Sequence, residues 1–264
     1  MSDVWGRPNY APSSERAWLD LVMFTREKPA LDIDLGHDDG FPQGFEFPRS
    51  ISVRTANIAE HRDAYETYLE GAFRDLATEQ LGAEVAKQID EARWTVSISG
   101  SVADPPDLAL FQALRAFQRF VARTAGGVAI ANDLSLLWQD AAGMAAADPP
   151  NRLRIDEWIE ILYDDEVKGL HTRGMEQFAR PDVAIFDLPE HRLERASQLL
   201  RHLAHLQVHG TLYPDRTTIK VDAADHSSSE RVTVALARLD AERCKILAVR
   251  ADTLVVEGWP AGIA

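Results

Sequence analysis

Trp94-Thr95-Val96-Ser97-Ile98-Ser99, then Ala103-Asp104-Pro105-Pro106, then an unbroken run to Thr124, then Gly126-Gly127-Val128-Ala129-Ile130-Ala131: this stretch decides the fold class. Its first six residues alternate polar and apolar, the period of a half-buried strand. Pro105-Pro106 ends that strand, and Asp104 stands where a helix N-cap is expected, with proline in the first turn. Leu110, Leu114, Phe117 and Val121 then recur at spacings of four, three and four, which stacks them on one helical face. Gly126-Gly127 stops the helix, and residues 128–131 form the next strand. A strand–helix–strand unit with a crossover helix places its two strands parallel.

The same order returns about ninety residues later. Val183-Ala184-Ile185-Phe186 reads as a strand, residues 190–209 as a helix, and Thr217-Thr218-Ile219-Lys220-Val221 as a strand. A structural duplication is the expectation. Before the first unit, residues 1–14 read as a loosely held polar segment, residues 17–24 as a strand, residues 28–50 as a proline- and glycine-rich irregular stretch, and residues 50–54 as a short strand. Tyr65, Leu69, Phe73 and Leu76 give residues 59–91 a helical period, divided at Gly82. The C-terminus reads as up to three strands near 232–239, 244–249 and 253–257. The chain is therefore of α+β type, with mixed sheets and a C-terminal antiparallel hairpin region. Asp148-Pro149-Pro150 is the strongest linker signal. It divides the chain into regions 1–150 and 151–264, or joins them as one continuous domain.

Composition excludes several functions. The 264 residues carry 28 Lys and Arg against 42 Asp and Glu, a formal charge of −14. Binding to a phosphate backbone or an anionic membrane requires clustered cations, so neither nucleic acid nor membrane is an expected partner, whereas a basic protein is. Cys244 is the single cysteine, which rules out an internal disulfide and a cysteine-based zinc site. Its apolar neighbours predict a buried thiol. No secretory signal or membrane-length apolar run is read, so a cytoplasmic protein is expected.

No motif specifies a reaction or a cofactor. G-x-x-x-x-G-K-[ST], G-x-G-x-x-G and G-x-S-x-G are absent. Gly126-Gly127 follows a helix, the reverse of the order that brings helix N-terminal amides to a phosphate. Ser227-Ser228-Ser229 beside Asp225 and His226 reads as an exposed loop. Residues 32–43 resemble a calcium loop, but Gly36 and Gln43 stand where its fifth and twelfth positions need ligands. His202, His205 and His209 have the spacing that lets imidazoles share a metal. However, Leu206 replaces the glutamate of H-E-x-x-H, and the apolar stripe Leu193, Ala196, Leu200 and Leu203 turns these histidines toward solvent. Asp156, Glu157, Glu160, Asp164, Asp165 and Glu166 fall within eleven residues with no intervening base. They form a candidate acidic docking surface.

The most patterned segment is Gly169-Leu170-His171-Thr172-Arg173-Gly174-Met175-Glu176-Gln177-Phe178-Ala179-Arg180-Pro181-Asp182. Thr172 is placed to cap a short helix whose first turn is Arg173 to Glu176, and Met175 and Phe178 share a face that can enter the core. His171, Arg173 and Arg180 are the residues left over. They suit either an anion or a tie to the acids at 156–166, and with Thr172 they are the candidate functional segment. This segment resembles the T-x-G-[ML]-x-x-[FW]-[GA]-x-[PA]-[DE] pattern of bacterial domains of unknown function (DUF4261-like), over about residues 94–210. Ala179 stands where glycine is expected. The resemblance implies no catalytic residues. It implies an immunity or interaction role, because such families occur beside polymorphic toxins.

Three functions follow as expectations. The first is a non-catalytic interaction protein, an immunity or regulatory partner of a basic protein. The alternative is an enzyme with a hydrolytic or metal-assisted site near His171–Arg180 or the histidine helix. The third is an assembly module that pairs with its own copies.

Overall fold

The computed structural model describes residues 4–30, 40–166, 168–214, 216–222, 231–238 and 253–257. The calcium-like loop at 32–39, the serine run at 227–229 and Cys244 with its expected strand lie outside the described residues.

Two sheets organise the chain. The first has the order β2-β3-β1-β4-β5, built from β1 (Arg16–Thr25), β2 (Ile51–Asn57), β3 (Trp94–Ala103), β4 (Gly127–Asn132) and β5 (Leu137–Asp140). All of its pairings are antiparallel, which corrects the expectation of mixed sheets for this half. The second has the order β6-β7-β8-β11-β10-β9. Its strands are β6 (Glu160–Asp164), β7 (Gly169–Arg173), β8 (Val183–Ile185), β9 (Thr217–Asp222), β10 (Arg231–Arg238) and β11 (Leu254–Glu257). It is mixed, because β11 runs parallel to β8 and antiparallel to β10.

β3 and β4 do run parallel, but β1 lies between them and pairs with both. The helix that joins them, α4 (Ala109–Thr124), is 16 residues long. In the second unit α6 (Leu193–Val208), also 16 residues long, joins β8 to β9 across two intervening strands, β11 and β10. The resemblance between the units therefore extends to element order, helix length and strand direction, and stops at sheet connectivity.

Each strand face has its own cover. Leu19, Leu21 and Met23 of β1 pack on α4, while Val22 and Phe24, pointing the other way, pack with α1 (Arg62–Leu69), α2 (Ala72–Leu81) and α3 (Ala83–Asp90). Gly71 as well as Gly82 divides the helical stretch, each with positive φ. Between β5 and the second sheet lie α5 (Ala141–Ala146) and a 3-10 turn, Ile155–Glu157.

The expected linker does not separate two cores. One apolar cluster contains Leu19, Leu114 and Ile130 together with Trp158, Met175, Phe178 and Val208. Phe111 stacks on Phe178 with ring centroids 4.3 Å apart and meets Trp158 edge-on at 5.1 Å. The N-terminal segment is also held, contrary to its polar appearance. Trp5 and Arg7 are buried, and Asn9 and Ala11 donate backbone hydrogen bonds to the carbonyls of His209 and Gly210. Gly210 has φ +108, and a Cβ there would lie 2.4 Å from Tyr10 Cα. Only glycine permits that approach.

Candidate functional site

The segment 169–182 divides into parts with different duties. Residues 169–173 are strand β7, so Thr172 caps no helix. Its hydroxyl donates to Asp182 Oδ1 (3.0 Å) and accepts from the Val183 amide (2.9 Å). Asp182 Oδ1 also accepts from the Met175 amide. The two residues close the base of the 3-10 turn Met175–Phe178. Gly174 enters that turn at φ +104, where a Cβ would strike the Trp158 carbonyl. Ala179 leaves it in the left-handed region at φ 55. That conformation explains why glycine is expected at this position. Met175 and Phe178 enter the core as read.

Arg180 does not reach the acids at 156–166. It is buried and bonds Asp104 Oδ2 at 2.9 Å. Its remaining donors go to the carbonyls of Ala11, Ala179, Gly210 and Thr211. Asp104, expected as the N-cap of α4, is instead the hub of a buried ionic bridge; α4 begins at Ala109, whose amide is met by Asp107 Oδ1. Arg7 takes the other Asp104 oxygen at 2.6 Å and donates to the carbonyls of Pro105, Phe178, Gln207 and Val208. Burial and the facing Arg180 charge push the Arg7 guanidinium down, and Asp104 opposes them. Both guanidinium groups have five N–H donors, and each is surrounded by acceptors on every nitrogen. The bridge is a structural latch with no donor left for a ligand.

His171 and Arg173 lie on the face of β7 opposite Thr172. Their cross-strand partners in β6 are Leu162 and Glu160. Burial and the Arg173 charge lower the His171 pKa, against the pull of Asp164, and so favour the neutral imidazole. The proposed cluster His171, Thr172, Arg173 and Arg180 is thus split among two strand faces and a buried latch. It is not one catalytic constellation.

The acidic run also divides. Glu157 turns inward to Arg115 at 2.5 Å, a guanidinium that also lies over the Trp158 ring. Asp156 and Glu160 line a cleft of about 120 Å³ between β6 and α6, with Arg201 on its far wall. Burial raises the Glu160 pKa, opposed by the Ile161 amide and Arg201. Asp164, Asp165 and Glu166 form the turn that leaves β6, where Asp164 accepts from the Glu166 amide. Beside them Tyr163 is 44% exposed. Strand β6 is the end strand of its sheet.

On α6 the His205 and His209 rings lie 4.2 Å apart, and His209 Nδ1 meets the His205 carbonyl. Burial, then the charges of His209, His202 and Arg152, lower the His205 pKa. Among the described residues no group of three His, Cys, Asp or Glu side chains is gathered to hold a metal.

One surface was missed by the sequence reading. Trp18 and Asp20 share the β1 face that carries Val22 and Phe24, but α1–α3 cover only the latter end. Trp18 is 49% exposed. Asp20 is opposite Ser99 of β3, which is opposite Ser52 of β2. Asp133 continues the row past β4, with its amide on the Asp20 carbonyl and its Oδ2 accepting from Tyr68 at 2.5 Å. Burial, together with the Asp20 charge, pushes the Asp133 carboxyl up to about 6 despite that bond. The Tyr68 phenol is held far above its usual range by burial and by Asp133. The alternation Trp18-Leu19-Asp20-Leu21 and the serine ladder Ser97, Ser99, Ser101 are the signals that could have exposed this face.

No helix among the described residues is long and apolar enough to cross a membrane. Comparison with family models, with curated proteins and with solved structures finds no match for this chain.

Proposed function

We propose that this chain is a non-catalytic interaction protein that docks a basic protein on the outer edge of β6, as an immunity or regulatory partner would. The observation that carries this reading is an end strand whose tip presents an exposed tyrosine among Asp164, Asp165 and Glu166, beside a cleft lined by Asp156 and Glu160. An end strand offers unpaired backbone groups to a partner. Tyrosine is enriched among residues that dominate binding energy. The acids and the net charge of −14 steer a cation-rich surface toward this edge. A catalytic reading near His171–Arg180 has less support, because Arg180 and Thr172 are consumed by internal bonds.

The test is affinity capture from the native host with the wild-type chain and with a D164N/D165N/E166Q variant. A basic protein held by the wild type, lost from the variant and released by salt supports the reading. Retention of the same proteins by both chains, or capture of further copies of this chain alone, contradicts it.

A further inference from the structure

The open end of the first sheet has a chemistry distinct from the β6 edge. Trp18 lies on β1, the middle strand of five, yet is 49% exposed. No ring or cation among the described residues contacts it. Around it the strands set out a grid of polar side chains, about 4.8 Å apart between strands and roughly 6.8 Å along them. Ser101 is opposite Trp18, and the Asp20–Ser99–Ser52 row comes next. Tyr68 and Asp133 wall the end nearest α1.

The hydrogen-bonding state of these groups is informative. The half-buried Asp20 carboxylate has no hydrogen-bond or ion-pair partner among the described residues, so it can only accept. The Ser101 hydroxyl accepts from Arg16 Nε at 2.9 Å, and the Ser52 hydroxyl accepts from Arg54 Nε at 3.0 Å. Each of those serines keeps its own O–H to donate. Ser99 is exposed, and its hydroxyl has no hydrogen-bond partner among the described residues. A ligand that completes this face must donate to Asp20 and accept from the serines within one small area. A simple organic cation does only the first, and an inorganic anion does only the second. A polyhydroxylated ligand does both, since every hydroxyl is donor and acceptor. The C–H face of a sugar ring also suits the exposed indole, whose apolar body wants cover while its edge stays polar.

We infer that this face is a carbohydrate-binding site, with Trp18 as the stacking platform, Asp20 as the acceptor, and Ser52, Ser99 and Ser101 as donors. The ligand is a neutral glycan. Arg16 and Arg54 at the margins offset the local carboxylates, which leaves no strong field of one sign to select an ion. This site is separate from the β6 edge and stands without the protein partner proposed there.

Isothermal titration of the full chain with cellohexaose, maltohexaose and N-acetylchitohexaose, each to about 10 mM, tests the inference. At least one of the three saturates the protein, and Trp18→Ala weakens that binding by roughly tenfold or more. Trp18→Phe keeps most of it, and Ser99→Ala weakens it severalfold. These side chains are exposed or half-exposed on the sheet, and circular dichroism checks that each variant keeps the fold. If Trp18→Ala alone loses its fold, the Phe and Ser99 variants decide. Saturation by none of the three, binding unchanged in the variants, or saturation by n-butylammonium in place of any sugar overturns it.

Discussion

A carboxylate shared by two buried guanidinium groups cannot be made neutral without stranding cations in a dry setting. Asp104 is that residue, with side-chain exposures of 0% for Arg7 and Arg180 around it and 2% for itself. Asp104→Asn is expected to cost about 3–5 kcal/mol of folding stability, read from urea denaturation. A loss below about 1 kcal/mol would mean the bridge is dispensable. Local pattern could not reveal this role. Pro105-Pro106 is a strong helix-start signal and makes Asp104 look like a cap, while its true partners are 97 and 76 residues away. Asp133 obeys the opposite sign. Its carboxyl is raised to about 6, above its unfolded value, so the folded chain holds the proton more tightly. That stability is complete below the unfolded pKa and is lost as pH rises through about 6. Asp133→Asn, which can still accept from Tyr68, should flatten that fall and stabilise the protein at pH 7.5 by on the order of 1 kcal/mol, allowing for solvent screening. Thermal melts across that range check it; an unchanged slope in the variant would remove Asp133 as its cause.

Among the elements, the two long helices and the strands beside them were legible because their apolar periods are unambiguous and their ends carry glycine or proline. Strands β6 and β7 were not. Acids occupy both ends of β6, so composition reads as a surface patch, and Thr172-Arg173-Gly174 imitates a helix cap. What decides the matter is the pairing of Ile161 with Thr172 and Leu162 with His171, a tertiary fact with no local signature. The turn they lead into holds a non-glycine residue, Ala179, at φ 55 and almost wholly buried. The left-handed region costs an L-residue roughly 1–2 kcal/mol, and glycine's extra unfolded entropy offsets part of the gain. Ala179→Gly should therefore be neutral or stabilising by up to about 1 kcal/mol in the same urea assay. A clear destabilisation would show that the methyl group packs more favourably than the backbone is strained.

At the scale of the whole molecule the two halves are joined by the shared core around Phe111, Trp158 and Phe178, by the Arg7–Asp104–Arg180 bridge, by the Arg115–Glu157 ion pair, and by the N-terminal segment bonded to residues 209–210. Pro149 and Pro150 therefore lie in an irregular stretch of chain between two halves that share one apolar cluster. The acidity is likewise resolved into parts. Glu157 is neutralised inside the fold by Arg115, whereas Asp164, Asp165 and Glu166 remain at the end of an edge strand. The docking surface proposed above rests on this smaller patch, and Arg180 spends its donors on Asp104 and backbone carbonyls away from these acids. The most direct measurement is hydrogen exchange on the complex with the captured basic protein, at low salt, against the free chain. Docking on β6 predicts new protection concentrated in residues 156–166 that disappears as salt is raised. Protection confined to other segments, with exchange at 156–166 unchanged, would contradict it.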